Sequence, residues 1–473
     1  MLKTINVLFL AAEADPFIKV GGLGDVAGVL PRELRALSTE ELKLDVRLVL
    51  PYHLSVRAEN LRPVELFSIP RGGSEVGVEA FETSLDGMPV YFINGDPIRA
   101  NGSVYSLDAK LDAEKYAFFS LAAIELTKHI NWQPDVIHAN DWHTALSVYV
   151  NLTKRWEAGT KHIAGVVSLH NLPFMGSDMS AIIESYGIKL AQTDLPDWAR
   201  VLPLPLGMWA SDAIVAVSPG YAGEILKEEF GCGLQGFLGQ RRETLTGILN
   251  GIDTVSFDPA TDKALSVNYD LDTLKHRAEN KELLQEKLGL TREPHIPLLG
   301  IVSRMDVQKG VDLAFSALKS IKNANFQAVI LGTGDPKLEE AARELQTLFP
   351  EKIKAELRFD ASLARQIYAG ADMLLMPSRY EPCGLAQMIA MRYGCVPVVR
   401  AVGGLKDTVR QNETGFVFEK AHHMSLAGAI KTGIKTLADR EKWTAIQRNG
   451  MSQDFSWTAS ARKYLELYES LVK

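Results

Sequence analysis

Twice along this chain of 473 residues, short apolar runs alternate with segments whose apolar residues recur at helical spacing. Parallel strands must be joined by a crossover, which is usually a helix, so the alternation predicts two parallel α/β sheets. The first series places apolar runs at 7–12, 46–51, 136–139, 163–169 and 213–218, and the second at 298–303, 327–331, 353–357, 371–377 and 396–399. Between about 64 and 105 the texture changes to short alternating stretches with Gly72, Gly73, Gly87 and Gly95, which predicts hairpins at a sheet edge. Residues 112–130 read as one long helix. The seam between the series should lie near 250–259, where GILNGID ends and an Asp-Pro turn follows.

Residues 371–405 show the unit most compactly: an apolar run, a polar corner at 378–384, a helical stretch and a second apolar run. The corner falls at the C-terminal edge of a strand, where open α/β sheets bind ligands. Glu381 is its only carboxylate, and Gly384 follows at the start of the helix, where free N–H groups favour an anion. A ligand with both hydroxyls and phosphates, such as a nucleotide sugar, suits that pairing. On local pattern alone, Glu381 reads more readily as a cap of the following helix.

Composition narrows the partners. Lys and Arg total 51 against 58 Asp and Glu, a net charge of −7, which argues against nucleic acid or an anionic membrane. Cys232, Cys383 and Cys395 are too few for a disulfide framework or a zinc site, and a cytoplasmic protein is expected. Residues 5–12 read as a buried first strand rather than a signal peptide, and no run is long enough to span a membrane.

Further motifs sit at predicted strand ends. KVGGLGD (19–25) follows the first run: Lys19 supplies a point charge, and Gly21 and Gly22 let backbone approach a ligand, although a plain turn has the same composition. Pro31 in the following helix predicts a kink. HANDWH (138–143) and SLHN (168–171) carry histidines without metal-ligand spacing, so a structural role or a hydrogen bond to sugar hydroxyls is expected. In SRMDVQKG (303–310), Arg304 and Lys309 stand five apart and can reach one diphosphate, or are ordinary surface cations. Phe359 precedes Asp360, a predicted N-cap, and is read either as a stacking platform or as a core residue. Cys383 is read as a small packing residue.

SRYEPCGLAQMIAMRYGCVPVVRAVGGLKDTV (378–409) resembles the signature of the glycogen and starch synthases, and the similarity extends from KVGGLGDV to DFSWTASARKYLELY. The resemblance implies an α/β GT-B fold, with two Rossmann-like domains facing each other across a deep cleft and a C-terminal helix crossing back to the first. The implied limits are 1–253 for the acceptor-side domain, 254–454 for the donor domain and 455–473 for the returning segment. It implies transfer of glucose, with retention, from ADP-glucose to the non-reducing end of an α-1,4-glucan, without metal or other cofactor. By the same resemblance Glu381 holds the donor sugar, and Gly384 and Leu385 hold its phosphates by backbone N–H. Arg304 and Lys309 stabilise the departing diphosphate, Lys19 faces phosphate or acceptor, and Asp25 lies in the donor pocket. Asp141, His170 and Asn171 surround the transferred glucose. Phe359 faces the base, and Gly334, Gly403 and Gly404 belong to loops near the nucleotide. Partners are therefore a nucleotide sugar and an α-glucan, with no nucleic acid and no membrane.

The chain departs from the family pattern at Met175, Ala386 and Val402, over 203–209, and near 98–100, where a tyrosine is expected. Those changes leave open a UDP-linked donor, a small acceptor, or a catalytically weak glucan-binding relative.

Overall fold

The computed structural model describes residues 3–155 and 162–472. Two compact units emerge, Met1–Gly251 with Trp457–Lys473, and Ile252–Ser456. These limits lie two residues from the expected 253/254 and 454/455 junctions. The chain enters and leaves the second unit at adjacent points, where the Ile252 N–H donates to the Phe455 carbonyl at 2.8 Å.

The first unit carries β1 (Lys3–Leu10), β2 (Leu42–Pro51), β3 (Arg62–Arg71), β4 (Ser74–Leu85), β5 (Met88–Asn94), β6 (Val136–Asn140), β7 (Ala164–Leu169), β8 (Ala213–Ala216) and β9 (Leu245–Gly247). They form one sheet in the order β3-β4-β5-β2-β1-β6-β7-β8-β9. β5 through β9 run parallel, and the β3-β4-β5 meander is antiparallel. The glycine-punctuated stretch is thus the sheet edge, although β5 itself pairs parallel with β2 and belongs to the core. Strand β1 is buried from Val7 to Leu10, so both faces of the sheet centre are covered. Each Val, Leu or Phe so buried contributes roughly 1.5–3 kcal/mol. The long helix runs Ala109–His129. Pro31 lies inside a continuous helix, Gly22–Ala36. Trp457, Tyr464 and Tyr468 of the helix Trp457–Leu471 join the core of this unit.

The second unit carries β10 (Leu298–Val302), β11 (Gln327–Leu331), β12 (Ile353–Glu356), β13 (Met373–Met376), β14 (Val396–Arg400) and β15 (Phe416–Phe418), all parallel, in the order β12-β11-β10-β13-β14-β15. Five of the six match the second series of apolar runs. β15 spans only three residues, too few to show a period. Two ionic ties brace this unit, the first buried and the second partly so. Lys281 Nζ meets the Asp372 carboxylate at 2.7 Å, and Arg365 meets Asp262 at 3.0 Å.

Candidate active site

In the first unit the polar groups gather where β1, β6 and β7 end. Glu13, fully buried just past β1, accepts from the N–H groups of Val20 and Gly21 and from the Tyr105 hydroxyl at 2.8 Å. Burial raises the Glu13 carboxyl above its ordinary range, against the pull of those hydrogen bonds. Two N–H groups of the glycine-rich loop are therefore already satisfied by a side chain, which its composition did not reveal. Gly22 remains open, with no atom within 4 Å of where a Cβ would stand. Lys19 is exposed and bonded to Asp25, with Asp15 3.5 Å away. Burial lowers its pKa, but the hydrogen bond and charge of Asp25 outweigh this and leave it raised.

Asp141 begins the helix that follows β6 with φ +54°, a left-handed conformation rare outside glycine and typical of functional junctions. Its Oδ1 accepts from the N–H groups of His170 at 2.8 Å and Asn171 at 3.3 Å, tying the end of β7 to the end of β6. Burial raises the Asp141 carboxyl and lowers the His170 imidazole, and for His170 the Asp141 charge opposes the shift. Asn171 Oδ1 is buried without a hydrogen-bond partner, which makes it available to a ligand donor.

His138 has the structural role among the two expected for it. Its ring bonds the Tyr468 hydroxyl at 2.6 Å and Ser168 Oγ at 2.7 Å, and burial pushes it down to about 3. His143 is buried among Trp142, Tyr116 and Tyr105. A cavity of about 990 Å³ also opens in this unit, lined by Pro16, Phe17, Arg57, Asn60, Arg62 and Thr83 among others, but by none of the candidate residues.

In the second unit the corner after β13 meets the loop after β10. Lys309 Nζ donates to both Glu381 oxygens, at 2.8 and 2.7 Å, and Ser378 Oγ donates to Glu381 Oε2 at 3.0 Å. Glu381 therefore does not cap the next helix, Ala386–Arg392, which has no side-chain cap. Gln308 carries the same junction: its Nε2 donates to the Tyr380 carbonyl at 3.1 Å, and its carbonyl accepts from the Arg379 N–H at 2.8 Å. At Gly310, φ is +67° and a Cβ would stand 2.2 Å from the Pro377 carbonyl oxygen. Three consecutive residues, Gln308, Lys309 and Gly310, thus dock on one corner. Arg304 differs from Lys309: its side chain is 71% exposed, and Asp306 lies 3.3 Å from it.

A second loop closes on the corner from β14. A Cβ at Gly403 would stand 1.9 Å from the Glu381 carbonyl oxygen, and one at Gly404 2.1 Å from that of Cys383. The glycine pair is a packing requirement of the Glu381 backbone. Gly384 and Leu385 stay partly exposed at the head of the helix. Gly334 pairs with Met305 in an isolated bridge, joining the loops after β10 and β11. Phe359 is 88% exposed, which excludes the core reading. Asp360 caps the next helix through the Leu363 N–H at 2.9 Å. Cys383 is buried.

The departures from the family pattern are mostly interior. Met175 and Val402 are buried, and the helix Pro203–Ala210 is buried against the helix Asp141–Arg155. Ala386, partly exposed, begins the helix Ala386–Arg392. Among the described residues no helix is long and apolar enough to cross a membrane.

The "Starch synthase catalytic domain" family matches residues 6–240, and the "Glycosyl transferases group 1" family matches 281–450. The chain is 38% identical over 489 residues to a glycogen synthase of Streptococcus sanguinis (strain SK36), covering 99% of this chain and 100% of that one. A glycogen synthase of Clostridium beijerinckii (strain ATCC 51743 / NCIMB 8052) is 39% identical over 483 residues, covering 99% of each. Among solved structures, the catalytic domain of starch synthase IV from Arabidopsis thaliana, bound to ADP and acarbose, matches with a TM-score of 0.87 and 31% identity, covering 99% of this chain and 100% of that one. A sucrose-phosphate synthase from Thermosynechococcus elongatus, 19% identical with a TM-score of 0.62 and 99% of each chain covered, shares the fold.

Proposed function

Because the chain belongs to the glycogen and starch synthase family of GT-B glycosyltransferases, we propose that it transfers glucose, with retention, from ADP-glucose to the non-reducing end of an α-1,4-glucan. The observation that carries this reading is the corner of the second unit, where Glu381, Lys309 and Ser378 form one hydrogen-bonded set beside the exposed Arg304. Glu381 takes the hydroxyls of the donor glucose. Arg304, Lys309 and the N–H groups at Gly384 and Leu385 stabilise the negative charge that develops on the departing diphosphate. Phe359 offers an exposed ring to the adenine. His170, Asp141 and Asn171 bind the transferred sugar, and Lys19 and Asp25 serve phosphate or acceptor. The acceptor hydroxyl attacks on the face the diphosphate leaves. A covalent intermediate needs a carboxylate nucleophile at the anomeric carbon, whereas Glu381 is read at the sugar hydroxyls instead. No step of this scheme requires a metal.

The ADP and acarbose bound to the Arabidopsis thaliana relative support an adenine nucleotide and a glucan-like acceptor. The burial of Met175 and Val402 supports an unaltered acceptor class, since neither side chain faces solvent. The test is release of nucleoside diphosphate from ADP-glucose and UDP-glucose, each with and without glycogen. Glycogen-dependent release from ADP-glucose, abolished in Glu381→Ala, is expected. Nucleotide binding without release from either donor would sink the proposal in favour of a glucan-binding role.

A further inference from the structure

Asn140, the last residue of β6, is fully buried, and its two amide atoms have different partners. Nδ2 donates to the Leu10 carbonyl at 2.9 Å, and Oδ1 lies 2.9 Å from His170 Nε2. The reverse orientation would set Oδ1 against the Leu10 oxygen, two acceptors face to face, so the main chain of β1 decides which way the amide points. Thr144 fixes the residue further, its Oγ1 accepting from the Asn140 N–H at 2.6 Å and donating to the Asn140 carbonyl at 2.9 Å.

The consequence reaches the imidazole. An amide oxygen can only accept, so His170 Nε2 must carry the proton, and in the neutral ring Nδ1 is then the lone-pair atom. Among the described residues Nδ1 has no hydrogen bond, and His170 is partly exposed. The ionisable group that acts on the ring is Asp141, whose Oδ1 accepts from the His170 N–H, while the charge of His170 in turn lowers the buried His138 and His143. We infer that Asn140 is a positioning residue that locks His170 in the Nε2–H tautomer and presents Nδ1 as an acceptor for a sugar hydroxyl. This inference rests on the proposed role of His170 in binding the transferred glucose, and it assigns the direction of that hydrogen bond.

The ring nitrogens can be observed directly. In 15N-histidine-labelled protein near neutral pH, assigned with His170→Gln, the wild type should show one neutral tautomer, with a proton on Nε2 and none on Nδ1. A wild-type spectrum with Nδ1 protonated, or with a mixture, overturns the inference whatever the activity. In Asn140→Ser, where the shorter side chain cannot reach the ring, His170 should show mixed tautomers while the His138 resonances stay unchanged, which reports an intact fold. Glucosyl transfer by that variant should fall about tenfold in kcat, the worth of one well-placed hydrogen bond, with the KM for ADP-glucose within about twofold. An unchanged kcat would overturn the positioning role. If the wild type shows the single tautomer yet transfers no glucose to glycogen, the proposed function fails while the tautomer assignment stands.

Discussion

The two units differ in how they hold the candidate polar groups at their strand ends, although both bury ion pairs, Lys115 with Asp112 at 2.8 Å in the first. In the first, Glu13 is buried on the Val20 and Gly21 amides and Asp141 on the His170 and Asn171 amides, while His138 lies between the Tyr468 and Ser168 hydroxyls. In the second, opposite charges hold each other: Lys309 with Glu381, Lys281 with Asp372, Arg365 with Asp262. A hydrogen-bonded network sets direction and protonation at each atom, as recognition of sugar hydroxyls requires. An ionic set fixes charge in advance, as a departing diphosphate requires.

The contrast is sharpest at Lys309. Replacement by Ala should lower the rate of diphosphate release by about 10²–10³-fold, the usual worth of one charge-stabilising donor. A loss below tenfold in kcat would show that the ion pair serves stability alone. Away from the catalytic corner, Lys281→Met strands Asp372 as a buried carboxylate, and we expect a loss of about 3–5 kcal/mol in urea unfolding. Little change would mean that the pair is no more than a neutral contact.

Acid should test the first unit. His53 is buried, its Nε2 on the Ala12 carbonyl at 3.1 Å, and burial pushes its pKa down to about 4. Below about pH 6.5 the unfolded chain takes up a proton that folded His53 refuses until about pH 4, so stability falls as pH drops through that window. His138, lowered to about 3, adds loss of the same sign. Glu13 and Asp141, both raised, take protons earlier when folded and offset part of the loss. Replacing His53 with Gln should flatten the fall in urea-unfolding free energy between pH 6.5 and 4 by about 3 kcal/mol at most. An unaltered slope would place the acid sensitivity elsewhere. The smallest stability effect belongs to Phe359→Ala, within about 0.5 kcal/mol because the ring is exposed. Loss of stacking should still raise the KM for ADP-glucose about tenfold.

Most strands of four or more residues were legible because a buried strand writes itself as an apolar run, whereas β3 to β5 showed only as alternating stretches. The seam was legible because the Asp-Pro turn interrupts two periodic series. The loops at strand ends were found as motifs, but their partners were not. Glu381 and Lys309 are 72 positions apart, and Glu13 and Tyr105 are 92 apart, so neither pairing leaves a local period. Read locally, Glu381 could be a cap and the glycine-rich loop a free anion cradle. The first fails because Lys309 takes the carboxylate, the second in part because Glu13 already fills two of the amides. Asn140 was passed over inside HANDWH because its role depends on which carbonyl its amide meets.

The hydrogen bond from Tyr468 to His138 spans 330 positions, with the entire second unit between its two ends. A ribosome therefore completes Ile252–Ser456 before it delivers the tyrosines that finish the older half. Synthesis order and maturation order are reversed: the unit made second can close on its own residues first, while the unit made first waits with the ends of β1 and β6 lacking their aromatic cover. A stop codon placed just before Trp457 should therefore injure the sheet at the start of the chain more than the one beside the break.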